Sequence, residues 1–282
     1  GVKDLYTNAR YQCLYPEAAY GGWHQFAPYN ELVKEYFCTD GKDIKTSEVY
    51  DENDPYANRD LRLYASVFLP PLGSYPGTKY NDITYDCFKG ANTSDYYNKF
   101  ALFNGYCPKK GCDPSIINNL GATPTYTPIM RYAEVLLSYL EALNEAQPSA
   151  VDQDILDLTI NDIRDRVKLT KLEKANMSQE LIREAVRKER RVELAFEGLR
   201  YYDVLRWGIA EKELNHTFTG VKLSDDPKAR NYRGSGTAAS PVDEDMYYQF
   251  EKRTWSPHNR YFPIPQNDLN VNKNLKQNTG YN

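Results

Sequence analysis

A mostly α-helical fold, with antiparallel helical hairpins packed against a loop-rich region, is what this sequence predicts. Two observations carry it. Residues 127–214 hold apolar positions at helical spacing in four consecutive stretches joined by short links. The chain before and after them is rich in Gly, Pro, Asn, Asp and Tyr, with little periodicity.

In residues 1–126 the clearest helix is about 28–38, "PYNELVKEYFC", opened by Asn30 or Pro28 and ended by "TDGKD". The segments "PPLGSYPGTKYNDITYD" and "FNGYCPKKGCDPS" read as long surface loops with turn chemistry, and loops of this length tend to carry function. At the start of the helical part Thr127 can cap and Pro128 fits the first helical position. Tyr132, Val135, Leu136, Tyr139, Leu140 and Leu143 then form a stripe that Pro148 stops. Asp152 or Ser149 restarts the chain, with Ile155, Leu156, Ile160, Ile163 and Val167 as the buried face of a second helix. Ser178 can cap a third, running through Leu181, Ile182, Ala185, Val186, Val192 and Phe196 to a left-handed stop at Gly198. A fourth, about 200–214, carries Tyr202, Leu205, Trp207 and Ile209. Short links imply antiparallel neighbours, as in hairpin repeats of the tetratricopeptide type. Residues 215–282 return to an irregular pattern. Pro263 and Pro265 oppose a regular helix near the end, and Tyr261, Phe262 and Ile264 suggest that the tail packs on the body.

With 282 residues the chain can bury a substantial core in one large domain or two ordinary ones. A formal net charge of -4 leaves no basic field for nucleic acid or an anionic membrane. No apolar run approaches the roughly 20 residues that span a bilayer, and the opening "GVKDLYTNARYQC" lacks the apolar centre of a signal peptide, so localisation cannot be read from it.

The 25 tyrosines, against 10 Phe and 3 Trp, suit half-wet surfaces, because each ring joins a flat apolar face to a hydroxyl. Packing and hydrogen bonding in the core is the plainer use of any one of them. Five cysteines are an odd number, and only Cys107 and Cys112, separated by Pro-Lys-Lys-Gly, are close enough in sequence for a local bridge. With three histidines in the chain, that pair is weak ground for zinc.

Several blocks, in order, resemble the SusD/RagB family. "PIMRYAEVLLSYLEALNEA" (128–146), "RKERRVELAFEGLRYYDVLRWG" (187–208) and "YFPIPQNDLNVNKNLKQNTGY" (261–281) are its strongest marks. "NDIRDRV" (161–167), "GGWHQFAPYNELVKEYFCTDGKDI" (21–44) and "NDPYANRDLRLYASVFLP" (53–70) are similar to further landmarks. The resemblance implies a surface-exposed outer-membrane lipoprotein of Bacteroidetes-type bacteria, serving nutrient uptake such as starch or glycan utilisation. Such a protein binds glycans, or peptides in the RagB branch, and sits like a lid on a SusC-like TonB-dependent transporter. Family members are usually much longer, so residues 1–282 are expected to be the C-terminal portion, without the lipid anchor and with some binding residues elsewhere. Within it, 1–126 would be the ligand-facing loops, 127–214 the helical hairpins and 215–282 the tail.

Three carboxylates, Glu189, Glu193 and Glu197, recur every fourth residue on one helical face. Glu193 and Glu197 have a spacing compatible with the paired carboxyls of a retaining glycosidase, but that chemistry needs an open cleft and one raised pKa. Arg190, Arg191 and Arg200 nearby lower carboxylate pKa values instead. Arg190, Glu193, Glu197 and Arg200 are therefore expected to form a structural ion-pair network, as are Arg131 with Glu134 and the charges at Glu141 and Glu145. The acidic run of Asp51, Glu52, Asp54 and Asp60 lacks the glycine and alternation of a calcium loop and reads as a solvated turn. No phosphate loop, nucleophile elbow or HExxH motif is present. No catalytic residue, metal or cofactor is assigned. Binding is expected at Tyr20, Trp23, Tyr29, Tyr75 and Tyr80, aromatics set among glycines and hydrogen-bonding side chains, as stacking on a sugar requires. The rival readings are peptide capture by the same fold and a glycoside hydrolase.

Overall fold

The computed structural model describes residues 26–69, 79–80, 83–84, 104–111, 129–223 and 241–281, with side chains at all but 79–80 and 83–84. The elements in order are α1 (Asn30–Glu35), α2 (Leu61–Ser66), β1 (Val67–Phe68), β2 (Lys79–Tyr80), β3 (Ile83–Thr84), β4 (Cys107–Pro108), α3 (Tyr132–Ala146), α4 (Gln153–Leu158), α5 (Ile160–Arg166), α6 (Gln179–Glu193), α7 (Arg200–Arg206), α8 (Ala210–Leu214), β5 (Thr217–Lys222), β6 (Tyr247–Lys252) and α9 (Gln266–Val271). The helices dominate. The strands form three antiparallel pairs, β1 with β4, β2 with β3 and β5 with β6.

Two apolar cores meet along α6. Its first half sends Ile182 and Val186 against Leu137 and Leu140 of α3, Leu156 of α4 and Ile160 and Ile163 of α5. Its C-terminal Val192 joins the other core, with Val33, Tyr36, Leu63, Phe68, Tyr106, Val221 and Tyr248. One 15-residue helix thus ties the helical hairpins to the loop-rich part. Two sequence-predicted caps hold. The Asp152 side chain accepts from Ile155 N at 2.9 Å, and Ser178 Oγ accepts from Leu181 N at 3.2 Å, each satisfying a backbone donor that the helix leaves free.

Elsewhere the structure departs from the sequence reading. The α3 stripe is rotated. Leu136, Leu137 and Leu140 are buried, whereas Tyr132, Val135 and Tyr139 are exposed, because the face toward α6 starts one position later. The expected cap residues Thr127 and Pro128 lie outside the described residues, and the helix begins after Arg131 in extended backbone. The second helix is two, broken at Thr159 (ψ -97°), and the fourth is two, broken at Gly208 in the left-handed region (φ 68°). The third ends at Glu193. Phe196 itself takes a positive φ of 66° and is partly exposed rather than buried, ahead of Gly198 at 81°. Leu181 is exposed as well.

The stretch after 215 is less irregular than expected. β5 and β6 pair with two register shifts, and Phe218 stands opposite Glu251. Gly220 lets β5 close on the 104–106 segment, where Val221 N donates to Asn104 O at 2.8 Å. A Cβ at 220 would lie 2.2 Å from that same oxygen. In the tail, Tyr261 and Phe262 are exposed, and α9 forms directly after Pro265. The tail closes on itself, with Gln277 bonded to both N and O of Ile264 at 2.8 and 2.9 Å. Asp60, placed in a solvated turn by the sequence, is instead a buried cap of α2, accepting from Arg62 N at 2.9 Å.

Candidate functional site

The carboxylates of α6, and Glu197 in the turn after it, face inward. Glu189 is wholly buried and accepts from Arg62 at 2.5 Å and Arg164 at 3.2 Å. Glu193 accepts from Arg131 (3.1 Å) on one oxygen and from Arg62 (3.0 Å) and Arg166 (2.7 Å) on the other. Glu197 accepts from Lys110 (2.5 Å) and Arg131 (2.7 Å) on one oxygen and from Arg131 Nε (2.8 Å) on the other. The partners therefore come from α2, α5 and the segments at 110 and 131, not from Arg190 and Arg200.

Arg190 turns the other way, to Asp203 of α7 at 3.0 Å and Ser138 of α3 at 2.9 Å, and Arg200 reaches Glu213 of α8 at 2.6 Å. Arg131 pairs with Glu193 and Glu197 rather than with Glu134. Glu141 meets Arg206 and Trp207, and Glu145 meets Arg183. Burial opposes the charge on Glu197, but the bonds from Arg131 and Lys110 outweigh it and hold its carboxyl below the usual range. A general acid needs the opposite shift. Every oxygen of Glu193 and Glu197 already accepts a charged donor, so this pair is arranged to join segments.

Of the five aromatics expected to bind, Tyr29 is the one whose side chain is described. Tyr20, Trp23 and Tyr75 lie outside the described residues, and for Tyr80 the backbone alone is described, in β2. Tyr29 sits at the N-terminus of α1 in extended backbone (φ -77°, ψ 157°). Its neighbours in sequence are pinned on both sides. Asn104 donates to Pro28 O at 2.8 Å, and Asn30 donates to Thr219 Oγ1 at 3.1 Å. The ring lies 4.5 Å from that of Phe218, and the Arg253 guanidinium stands 5.0 Å from its centroid. The hydroxyl donates to Glu251 and accepts from Arg253 at 2.6 Å. Burial, and after it the bond to Glu251, hold this hydroxyl above its ordinary pKa, so it stays a neutral donor.

Tyr29 forms one wall of a cavity of about 410 Å3 that also has Phe196, Tyr201 and Phe218 around it and Arg191, Arg200 and Arg253 reaching into it. That volume falls within the range of small-ligand sites. Phe196 is presented by the left-handed turn that ends α6, a backbone state that costs a non-glycine residue free energy and often marks functional positions. Sequence reasoning missed every one of these partners of Tyr29. Phe218 lies in "TFTGVKL", a run of β-branched and aromatic residues that signals a strand. No local signal joins residues 29, 196, 201 and 253.

Among the described residues no cluster of His, Cys, Asp or Glu is placed to hold a metal, and no helix is long and apolar enough to cross a membrane.

A family model described as the SusD family matches residues 3–281. The chain belongs to the SusD family. Among SusD-family structures it resembles a SusD-like carbohydrate-binding protein from Bacteroides fragilis, with a TM-score of 0.71 and 32% identity, over 91% of this chain and 49% of that one. It also resembles a second SusD-like protein from that species, with a TM-score of 0.67 and 28% identity, over 99% of this chain and 51% of that one. The starch-binding protein SusD of Bacteroides thetaiotaomicron is 31% identical over 157 residues, 56% of this chain and 22% of that protein. The chain therefore spans about half the length of the solved SusD-family relatives it matches and a smaller share of that starch-binding relative.

Proposed function

We propose that this chain binds an oligosaccharide and that the cavity walled by Tyr29 is part of its binding surface. One observation carries the reading. In a SusD-family chain, aromatic faces and fixed hydrogen-bonding groups converge on a single concave site of sugar dimensions. Rings such as Tyr201 can stack on the C–H face of a pyranose while Arg200 and the backbone bond its hydroxyls. Two relatives, a carbohydrate-binding protein and a starch-binding protein, support the same ligand class. By family resemblance the chain acts as part of a surface lipoprotein of the outer membrane, anchored by an N-terminal lipid, that passes its ligand to a SusC-like TonB-dependent transporter.

Affinity electrophoresis against a glycan panel, run beside isothermal titration with a peptide panel, tests this. Retardation by a glycan that weakens in Tyr201→Ala supports the reading. Binding of peptides alone would move the chain to the RagB-like alternative. Turnover of a bound glycan that is lost in Glu197→Gln would make it a hydrolase.

A further inference from the structure

Three guanidinium groups reach the Tyr29 cavity, and they are not equally satisfied. Arg253 is neutralised by Glu251, with Nε 3.0 Å from its carboxylate, and donates to the Tyr29 hydroxyl. Arg191 and Arg200 converge on one oxygen of Glu213, at 3.2 and 2.6 Å. Arg191 has a second carboxylate partner in Glu35 at 3.2 Å and donates to Glu31 O at 3.1 Å, yet its Nε is buried without a partner. Among the described residues Arg200 makes one hydrogen bond, to Glu213, although a guanidinium carries five N–H donors.

Arg191, Arg200 and Arg253 line the cavity with Glu31 and Glu213, and Glu35 and Glu251 pair Arg191 and Arg253 from beside it, so Arg200 is the guanidinium whose one carboxylate partner is shared. Both lining carboxylates are already engaged. Glu31 accepts from Thr219 N and Oγ1 at 3.0 and 2.9 Å, and Glu213 is shared by two arginines. Burial, and next the like charge of Arg191, push the Arg200 guanidinium below its ordinary range. A planar fork with free donors beside aromatic walls matches a planar carboxylate carried on a sugar ring.

We propose that the cavity takes an acidic sugar residue, a hexuronate, whose ring packs against Tyr201 and Phe196 and whose carboxylate bonds Arg200 and Arg191. This rests on the reading of the cavity as a saccharide site. Glu213 then holds the two guanidiniums in register and leaves their outer donors to the ligand.

Isothermal titration at fixed ionic strength with four ligands tests it: an oligogalacturonate, the same oligomer with its carboxyls reduced to alcohols, a neutral gluco-oligosaccharide and a sulfated galacto-oligosaccharide. The uronate should bind at least about tenfold tighter than its reduced form, the worth of one charge-assisted hydrogen-bond pair. In Arg200→Gln that ratio should fall toward one, and Arg200→Lys, which keeps the charge but loses the fork, should fall between. Thermal melting of both variants identifies any loss of fold, and the ratio within one variant is insensitive to the active fraction. An unchanged ratio in Arg200→Gln, or equal binding of the uronate and its reduced form, overturns the acidic-sugar inference. If Tyr201→Ala still weakens both ligands in that case, the saccharide site itself stands. If Tyr201→Ala and Arg200→Gln leave every affinity unchanged, the cavity is not the saccharide site and both readings fall. Preference for the sulfated ligand, with the same dependence on Arg200, replaces the carboxylate by a sulfate ester and overturns the hexuronate assignment. Absence of binding to all four ligands also overturns it.

Discussion

Glu193 near the end of α6 accepts from Arg62 of α2 at 3.0 Å, a contact between residues 131 positions apart in the chain. Arg62 also bonds Glu189 and Asp60, so this buried arginine holds α6, α2 and the cap of α2 together. Taking such charges out of water is costly, and the arrangement is tolerable because each guanidinium and carboxylate finds its counterpart. Removing one partner strands the others.

Glu193→Gln should therefore lower stability by ~3 kcal/mol, because it leaves the buried Arg62, and with it Arg131, with less counter-charge. Ligand affinity of the folded fraction should remain close to wild type, since Glu193 is buried and does not line the Tyr29 cavity. Urea denaturation followed by titration of the folded protein checks both parts. A variant with wild-type stability and no binding would make this glutamate a binding residue.

The acid limb of stability follows from Glu197. Burial raises its pKa, but Arg131 and Lys110 more than offset that and hold it below the ordinary 4.5. A carboxyl depressed in the folded state adds stability at pH values above its unfolded pKa, and the gain is lost as pH falls through the folded value. Wild-type protein should thus lose stability from about pH 5 downward, whereas Glu197→Gln, lacking the titrating group, should lose less over the same interval. Urea midpoints measured from pH 6 to pH 3 give the comparison. Parallel curves for the two proteins would mean that the Arg131 bridge is not formed in solution.

How much was legible follows from the range of each signal. Ser178 and Asp152 were readable as caps because a cap is a contact across three residues. The charge on α6 was readable as ion pairing for the same local reason, but its partners were not. Glu193 lies within helical reach of Arg190, yet packing turns Arg190 to Asp203 and brings Arg62, Arg131 and Arg166 to the glutamate from distant segments. The rotation of the α3 stripe has a similar cause. Tyr132, Val135 and Tyr139 fit a helical period as well as Leu137 and Leu140 do, and only the position of α6 decides which set is buried. The cavity was the least legible part, since residues 29, 196, 201, 218 and 253 share no period or motif.

The bridge between Cys107 and Cys112 was expected from their spacing, and Cys112 lies outside the described residues. Cys107 is buried in β4, paired opposite Phe68, and Cys38 is buried as well. Burial alone would shield both thiols in the native protein, so labelling of folded protein says nothing about a bridge. Alkylation after unfolding without reductant separates the two causes. Cys38 should then label, whereas Cys107 and Cys112 should stay protected until a reductant is added, as the proposed surface location would favour. Labelling of all five cysteines in unfolded, unreduced protein would mean that the bridge is absent.

The sequence also assigns ligand contact to Tyr20, Trp23, Tyr75 and Tyr80, and Tyr29 offers a way to test whether these act with the cavity. Truncating an aromatic anchor in a packed binding site costs ~2 kcal/mol, which corresponds to roughly thirtyfold in affinity. Tyr75→Ala and Tyr80→Ala should each weaken glycan binding by about that factor with little loss of stability. Trp23→Ala is expected to affect both, because a tryptophan that shortly precedes α1 in the sequence can also serve the core. Tyr29→Phe differs from all of these. It keeps the ring against Phe218 and removes only the hydroxyl that joins Glu251 to Arg253, leaving those two to pair directly. Its effect on affinity should be smaller, a few-fold, the scale of one neutral hydrogen bond. If the loops and the cavity form one surface, Tyr29→Phe combined with Tyr75→Ala should depart from the sum of the single effects, because neighbouring contacts to one ligand are not independent. Strict additivity would place Tyr75 on a separate subsite. Wild-type affinity in all of the loop variants would leave the cavity as the binding surface of this part of the chain.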